Sequence, residues 1–308
     1  ESKNIDLIIK TSITAAKIKD SEIKELTLTN TSGDKERIKS KYYVFAMGGI
    51  ENGRMLKFIA VDNPNSTLSK NQNVGAYWME HPHGTVGDYF YNIPKNNRQH
   101  IGISEQMKRE LKILSCNLNF TSQLKHPTDG KVKKLLRDLI CVDETIGSEI
   151  SYGLGRNYCG GEIDAAWEQE PSIDNRIDLD TEVDAFGIPK VVLKWQKSDF
   201  DFRTIRLTSE YIAESMAKNN FAKIRLREWL WTGKPPENDG IGGGHHLGGT
   251  RMSHSRDDGV VDANLKCWDV SNLYMAGSSV FPSGGHANPT LTIVQLAVRL
   301  AEHLVSKP

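Results

Sequence analysis

The feature that most constrains the fold is residues 272–304, where a short apolar run, a glycine-rich loop and a long apolar stretch follow one another. The apolar run predicts a buried strand ending at Gly277, and Asn288 followed by Pro289 is typical of a helix start. The apolar residues beyond them recur at helical spacing and predict a buried helix. Its first turn offers free N–H groups and a positive dipole end to an anion. Alternatively, Asn288 only caps its own helix.

A second glycine-rich segment, residues 242–252, surrounds two adjacent histidines, His245 and His246. Glycines on both sides let the backbone approach a ligand closely and leave an imidazole uncrowded. Because histidine titrates near neutrality, either ring could accept a proton from a substrate hydroxyl. The segment therefore predicts a candidate general base.

A third segment combines an apolar run at residues 42–47 with Gly48, Gly49 and a helical pattern over residues 51–58. The order predicts a strand, a glycine turn and a helix. This geometry occurs at the edge of nucleotide sites, and many proteins also use it for packing alone.

Several short motifs occur in the order found in glucose-methanol-choline (GMC) oxidoreductases. The chain therefore resembles that family, and its sugar-oxidising, pyranose oxidase-like branch in particular. The resemblance implies FAD as cofactor and a His/Asn active-site pair. Its His-x-x-Gly pattern with Arg-Met further on favours His245 as the base with Asn288 as its partner, whereas His-Leu-Gly-Gly-Thr begins at the alternative, His246. The motifs are His245-His246-Leu247-Gly248, Arg251-Met252, Val261-Asp262, Asn264-Leu265, Ala276-Gly277-Ser278-Ser279 and Asn288-Pro289-Thr290.

The resemblance also implies which residues contact the cofactor. Gly48 and Gly49 match the segment that packs against the diphosphate and ribityl region, and Ala15 matches a strand position whose backbone meets the adenine. His81, in a His-Pro pair, matches a positioning residue at the edge of the flavin site, and His246 lines the substrate pocket if His245 is the base. The remaining implied cofactor contacts are Gly277, Ser278, Ala287, Pro289 and Thr290.

The predicted fold class is α/β (α+β), with strands over residues 5–18 and 23–30, a sheet over 162–195 and a long helix over 199–218. With the resemblance, this implies a partial Rossmann-like FAD-binding domain in residues 1–75 and 236–308. A substrate-binding domain with an antiparallel sheet and flanking helices is expected at 76–235. Since no Gly-x-Gly-x-x-Gly fingerprint follows an early strand, we expect a longer protein, with a missing N-terminal segment or a companion chain completing the FAD site.

Composition excludes several classes of function. The 39 basic residues are balanced by 39 acidic residues, so nothing favours nucleic acid, and no apolar run reaches the length of a membrane span. The expected partner is a small alcohol or sugar. The four cysteines are too dispersed for a zinc site or a disulfide scaffold.

Two other hypotheses remain open at this stage. His81 and His83 alternate along a predicted strand and, with the 245–246 pair, suggest a metal-dependent hydrolase. The proline between them and the lack of a Cys or carboxylate cluster favour a structural role, so no metal is expected. The missing fingerprint also suits a non-catalytic remnant that has lost the flavin.

Overall fold

The structure, a computed structural model, describes residues 4–91, 99–122, 139–140, 143–153, 160–234 and 242–307. It is a mixed α/β fold with antiparallel sheets. The strands are β1 Thr11–Lys19, β2 Glu22–Asn30, β3 Lys35–Ile38, β4 Tyr43–Phe45, β5 His83–Tyr91, β6 Gln99–Gly102, β7 Cys116–Ser122, β8 Gly160–Trp167, β9 Arg176–Val183, β10 Pro189–Lys194, β11 Ala222–Leu226 and β12 Leu273–Met275. The α-helices are α1 Gly48–Asp62, α2 Glu105–Leu111, α3 Glu144–Gly153, α4 Asp199–Lys218, α5 Trp229–Thr232 and α6 Thr290–Val305.

The first three strands form an antiparallel meander in the order β1-β2-β3. The predicted first strand starts too early, because β1 begins at Thr11 and not at residue 5. Lys10 has a φ of 55°, in the left-handed region, which interrupts the extended backbone. Ile5 and Leu7 before it are 72% and 83% exposed.

Strands β4 and β12 form the parallel pair that organises the site. Tyr43 lies opposite Leu273 and Phe45 opposite Met275 in this register. Helix α1 begins at Gly48, directly after β4, so the predicted strand, glycine turn and helix are confirmed. Because parallel strands end at the same sheet edge, the turn at Gly48 and the turn at Gly277 lie at one edge.

Among the described residues, the buried hydrophobic side chains form two clusters. The first contains residues of β4, α1 and β12, and the second lies around the five-stranded antiparallel sheet, whose strand order is β11-β5-β8-β7-β6. Helix α4 packs on it through Ile205 and Ile212 and spans the predicted residues 199–218. Its first turn is fixed by a capping box between Ser198 and Asp201. The single sheet predicted over residues 162–195 is wrong: β8 pairs on both sides, with β5 and β7, and so leaves no edge for β9 and β10, which form a separate hairpin.

Helix α6 is not buried within this chain, contrary to the sequence prediction. Leu291 is 70% exposed, and Val294 and Val298 are each 53% exposed. The opposite face packs against the first hydrophobic cluster, which also contains β4, α1 and β12 residues, through Ile293, Leu296, Leu300 and Leu304. The apolar periodicity identified the helix but could not show that one of its faces is left uncovered by the described part of the chain.

Two inferences from composition, on membrane spans and on the cysteines, can be compared with the structure. Among the residues described, no helix is both long enough and apolar enough to cross a membrane. Cys116 and Cys267 are buried and unpaired, and burial raises the pKa of each thiol to about 12, so both are unreactive. Cys141 and Cys159 lie outside the described residues.

Asp178 on β9 ties the hairpin to α1, because its carboxylate receives Lys57 from α1 as well as Arg176 and Lys194. Burial opposes its ionisation, but hydrogen bonds from Lys194 and Lys57 outweigh burial and hold its pKa below the ordinary 3.8. Burial and the neighbouring cations lower the pKa of the Lys57 ammonium, since three cations share one carboxylate.

We therefore expect Asp178→Asn to lower the free energy of unfolding by about 1–2 kcal/mol near neutral pH. A carboxyl whose pKa is lowered by folding stabilises the protein above its unfolded pKa, and this stability is lost as the pH falls through the folded pKa. The deficit of the variant should shrink below about pH 4. Urea unfolding of both proteins at pH 7 and at acid pH checks this; an equal deficit at both would contradict it.

Candidate active site

The centre of the candidate site is a cluster of three imidazoles. His245 Nδ1 lies 3.1 Å from His81 Nδ1, and the two ring centroids are 5.2 Å apart. The ring of His83 lies 4.8 Å from that of His81 and 6.1 Å from that of His245. His81 is 2% exposed, and the buried Nε2 atoms of His81 and His83 make no hydrogen bond with any residue that the structure describes. The structure thus brings the predicted positioning residue against the predicted base.

Burial keeps the inner rings of this cluster neutral. It lowers the pKa of His81 to about 4, and the neighbouring His83 and His245 act in the same direction. Burial, with His245, also lowers the pKa of His83. A neutral His81 can accept a hydrogen bond at Nδ1, and if the His245 Nδ1–H donates it, the lone pair on His245 Nε2 is free to take a proton.

Glu80 is a functional candidate that the sequence analysis missed. Its side chain is buried, and Oε1 accepts hydrogen bonds from the backbone N–H of His245 at 2.7 Å and of His81 at 3.0 Å. Its Oε2 lies 3.4 Å from His246 Nε2. One carboxylate therefore holds both histidine segments. The only local signal was an acidic residue directly after the apolar Trp78 and Met79.

Residues 242–252, which carry His245 and His246, are called the histidine loop. The backbone of His246 connects this loop to the glycine turns. Its carbonyl accepts a 2.6 Å hydrogen bond from Ser278 Oγ, and a Cβ on Gly49 would lie 2.3 Å from the same oxygen. The His246 ring is 42% exposed at the side chain and lies 5.5 Å from the ring of Trp78. The hydroxyl hydrogen of Ser278 is therefore used within the protein.

Buried Asn52 on α1 connects the two glycine turns. Its Oδ1 accepts from the Met47 N–H at 3.0 Å, and its Nδ2 donates to the Ala276 carbonyl at 2.9 Å and to Ser279 Oγ at 2.8 Å. Ser279 in turn contacts the hydroxyl of Thr250, beyond the histidine pair. These bonds leave little freedom between the turns and the histidine loop.

The two glycine turns leave open space at the carboxyl edge of the parallel strands. Gly48 has a φ of 94° and Gly277 a φ of 101°, and a Cβ built on either residue meets no atom within 4 Å. Backbone N–H groups of the first turn of α1 lie at the same edge. Open sheets bind ligands at this edge, and a helix N-terminus accepts an anionic group there.

The start of α6 differs from the capping alternative. The helix begins at Thr290 with Pro289 as its N-cap, and no side chain caps it. Asn288 is exposed, and its side chain makes no hydrogen bond within the described part of the chain. The backbone of His286, two residues earlier, lies close enough to His81 to affect the His81 pKa. The loop carrying Asn288 therefore passes beside the histidine cluster.

A family model described as GMC oxidoreductase matches residues 171–297, which include the histidine loop, the second glycine turn and the start of α6. Residues 171–297 therefore match a GMC oxidoreductase domain. The recognition made from the short motifs is thereby confirmed. FAD is the cofactor that this match indicates.

The curated relatives include several sugar oxidoreductases. The chain is 25% identical over 286 residues to the fructose dehydrogenase large subunit of Gluconobacter japonicus, covering 88% of this chain and 48% of that subunit. It is 30% identical over 164 residues to a C-glycoside 3-oxidase of Microbacterium trichothecenolyticum, covering 52% and 28% of the two chains. The chain thus spans about half of the first relative and less of the second.

The fold is shared with solved oxidase structures. A pyridoxine 4-oxidase from Mesorbium loti superimposes with a TM-score of 0.58 at 11% identity, over 97% of this chain and 58% of that one. A formate oxidase from Aspergillus oryzae gives a TM-score of 0.54 at 14% identity, over 95% and 59%. At such identities the likeness concerns the fold alone.

The structure can be compared with the predicted site residues one group at a time. The structure gathers His81, His245, His246, Gly49 and Ser278 by direct contacts, and places Gly48 and Gly277 at the adjoining sheet edge. Ala287 and Thr290 are exposed at the start of α6, and Pro289 is buried there.

Ala15 is set apart from those residues. It lies half-buried on β1 opposite Thr27. Its neighbour Ala16 accepts a hydrogen bond from Asn63, just beyond the C-terminal end of α1. Gly48 opens the other end of that helix, about 22 Å away for a helix of this length. Contact between Ala15 and a cofactor therefore stays a prediction.

Proposed function

We propose that the protein containing this chain oxidises a CH–OH group of a sugar or sugar-like polyol, with FAD as cofactor. The observation that carries the proposal is the contact of the buried, neutral His81 with His245, whose loop is hydrogen-bonded to the Gly277 turn and packs closely against Gly49. A base thus stands next to an open edge that suits an anionic cofactor. The sugar-oxidising relatives support the substrate class.

The residues of this chain fit the cofactor. Two glycines with left-handed φ leave room for close approach of the ligand at the carboxyl ends of β4 and β12. The N–H groups that begin α1 and α6 offer donors to its anionic and polar atoms, since neither helix has a side-chain cap. Bound FAD would supply the hydride acceptor. Gly48, Gly49, Gly277, Ser278, Ala287, Pro289 and Thr290 are the residues that we propose hold it.

In this proposal the protein side chains divide the remaining chemistry. His245 accepts the hydroxyl proton at Nε2, while its Nδ1–H is held by His81. Asn288, whose amide is not used to cap α6, donates a hydrogen bond to the substrate oxygen. His246, partly exposed beside Trp78, lines the pocket and is the alternative base.

We further propose that residues 1–75 and 236–308 form part of a Rossmann-like FAD-binding domain, and that residues 76–235 form the substrate-binding domain. A polypeptide segment outside this sequence or a companion chain would complete the cofactor site. The exposed apolar face of α6 supports this arrangement, because an uncovered row of Leu and Val side chains is unfavourable in water.

The test is an absorbance spectrum of the complete protein, followed by anaerobic addition of sugars and polyols. We expect flavin absorbance that a sugar or polyol bleaches. A complete protein without flavin would support the non-catalytic remnant. A flavoprotein bleached by no sugar or polyol would contradict the substrate class.

A further inference from the structure

The histidine cluster has a property that proton transfer alone does not require. One ligand nitrogen from each of His81, His83 and His245 lies within 4.8 Å of the other two. Buried polar atoms nearly always have a partner, yet within the part of the chain that the structure describes the Nε2 atom of His83 makes no hydrogen bond. Three converging imidazoles, one of them with an unsatisfied nitrogen, form a donor set that suits a metal ion.

We propose that His81, His83 and His245 bind one divalent transition-metal ion such as Zn²⁺ or Cu²⁺. Imidazole nitrogens favour these ions, whereas Mg²⁺ and Ca²⁺ prefer oxygen ligands, and the group contains no carboxylate. Three protein ligands leave a fourth position open to water or another small molecule.

The geometry requires only small ring movements. Zn–N bonds of about 2.0–2.1 Å place the nitrogens of a tetrahedral site about 3.4 Å apart. The His81 and His245 Nδ1 atoms are already 3.1 Å apart. The widest separation among the three ligand nitrogens, 4.8 Å, must shorten by about 1.4 Å, which rotation of the side chains can provide.

Neighbouring residues hold the ligands in this arrangement. The Glu80 carboxylate anchors the backbone N–H groups of His81 and His245 and places negative charge just outside the three rings. Gly243 makes room for them, because a Cβ there would lie 2.8 Å from His83 Cε1 and 2.9 Å from His245 Nδ1. The absence of a side chain at residue 243 thus permits the close approach of the rings.

Metal binding has a consequence that rests on the proposed function. The ion would occupy a lone pair of His245 and withdraw that ring from proton transfer. The site is therefore inhibitory: the enzyme is active when the three imidazoles are free and inactive when a transition-metal ion bridges them. Metal binding itself does not depend on this role of His245.

The binding test is calorimetric titration of the complete, tag-free protein with ZnCl₂ after chelator treatment and removal of the chelator. We expect one equivalent to bind, and His83→Ala and His83→Gln each to weaken binding by at least about 10-fold. His254→Ala, which removes an exposed histidine elsewhere, is the matched control and should bind as the unaltered protein does. No binding, or equal binding by all variants, would overturn the site.

A parallel assay separates this site from the proposed function. The turnover of each protein with Zn²⁺ is divided by its own turnover without Zn²⁺. This ratio should be far below one for the unaltered protein and for His254→Ala, and much closer to one for both His83 variants. Stoichiometric binding that leaves turnover unchanged would keep the metal site and remove the inhibitory role and His245 as the base. Inhibition that persists equally in the His83 variants would overturn this site as its cause.

Discussion

Replacing His245 by alanine is expected to lower kcat by about 10²- to 10⁴-fold while the flavin stays bound. The substitution removes the proton acceptor, but the backbone N–H of residue 245 that Glu80 holds remains, so the loop should keep its position. The His246 carbonyl, which anchors the loop to Ser278, is also unaffected. Steady-state turnover and flavin absorbance of the purified complete protein give the two readouts.

Two further variants complete this experiment. His254→Ala removes an exposed histidine and should leave kcat within about twofold, as is usual for surface substitutions. His246→Ala should lower kcat less than His245→Ala does. The reverse order would identify His246 as the base, and retained turnover in both variants would reject the 245–246 pair.

Gly49→Ala is expected to lower the free energy of unfolding by at least about 3 kcal/mol and to reduce the flavin content. The new Cβ would lie 2.3 Å from the His246 carbonyl oxygen and 2.7 Å from its carbon. Both are backbone atoms, which cannot move aside as a flexible side chain can. Helix α1 or the histidine loop must shift, and the Asn52 and Ser278 bonds across this contact would be disturbed. Urea unfolding and the ratio of flavin to protein measure the two effects.

Two matched glycine variants test this explanation. Gly153→Ala, at an exposed position in α3 where a Cβ meets no atom within 4 Å, should leave stability nearly unchanged or slightly raised. Gly48→Ala also meets no atom but carries a φ of 94°, so it should cost about 1 kcal/mol from backbone strain alone. If Gly49→Ala unfolds as the Gly153 variant does, the close contact with His246 is wrong.

The sequence alone determined the features that depend on neighbouring residues. The periodicity over residues 199–218 predicted α4 with both of its ends. The apolar run before Gly48 and Gly49 correctly predicted a strand followed by a helix. Short motifs were also sufficient to recognise the GMC family. Local patterns carry this information because the backbone preferences of a helix, a strand or a glycine turn act over a few residues.

Only the tertiary structure decided which side chains meet. The metal hypothesis grouped these histidines, but His81 and His245 are 164 residues apart, and the Glu80 carboxylate reaches across 165 residues to the backbone of His245. No local pattern could therefore show that the three rings are in contact or which residue holds them. The apolar face of α6 is a second example. Periodicity shows that its side chains are apolar, but it does not show which part of the protein covers them. Contacts between distant segments are set by packing and strand pairing, and these depend on the whole fold.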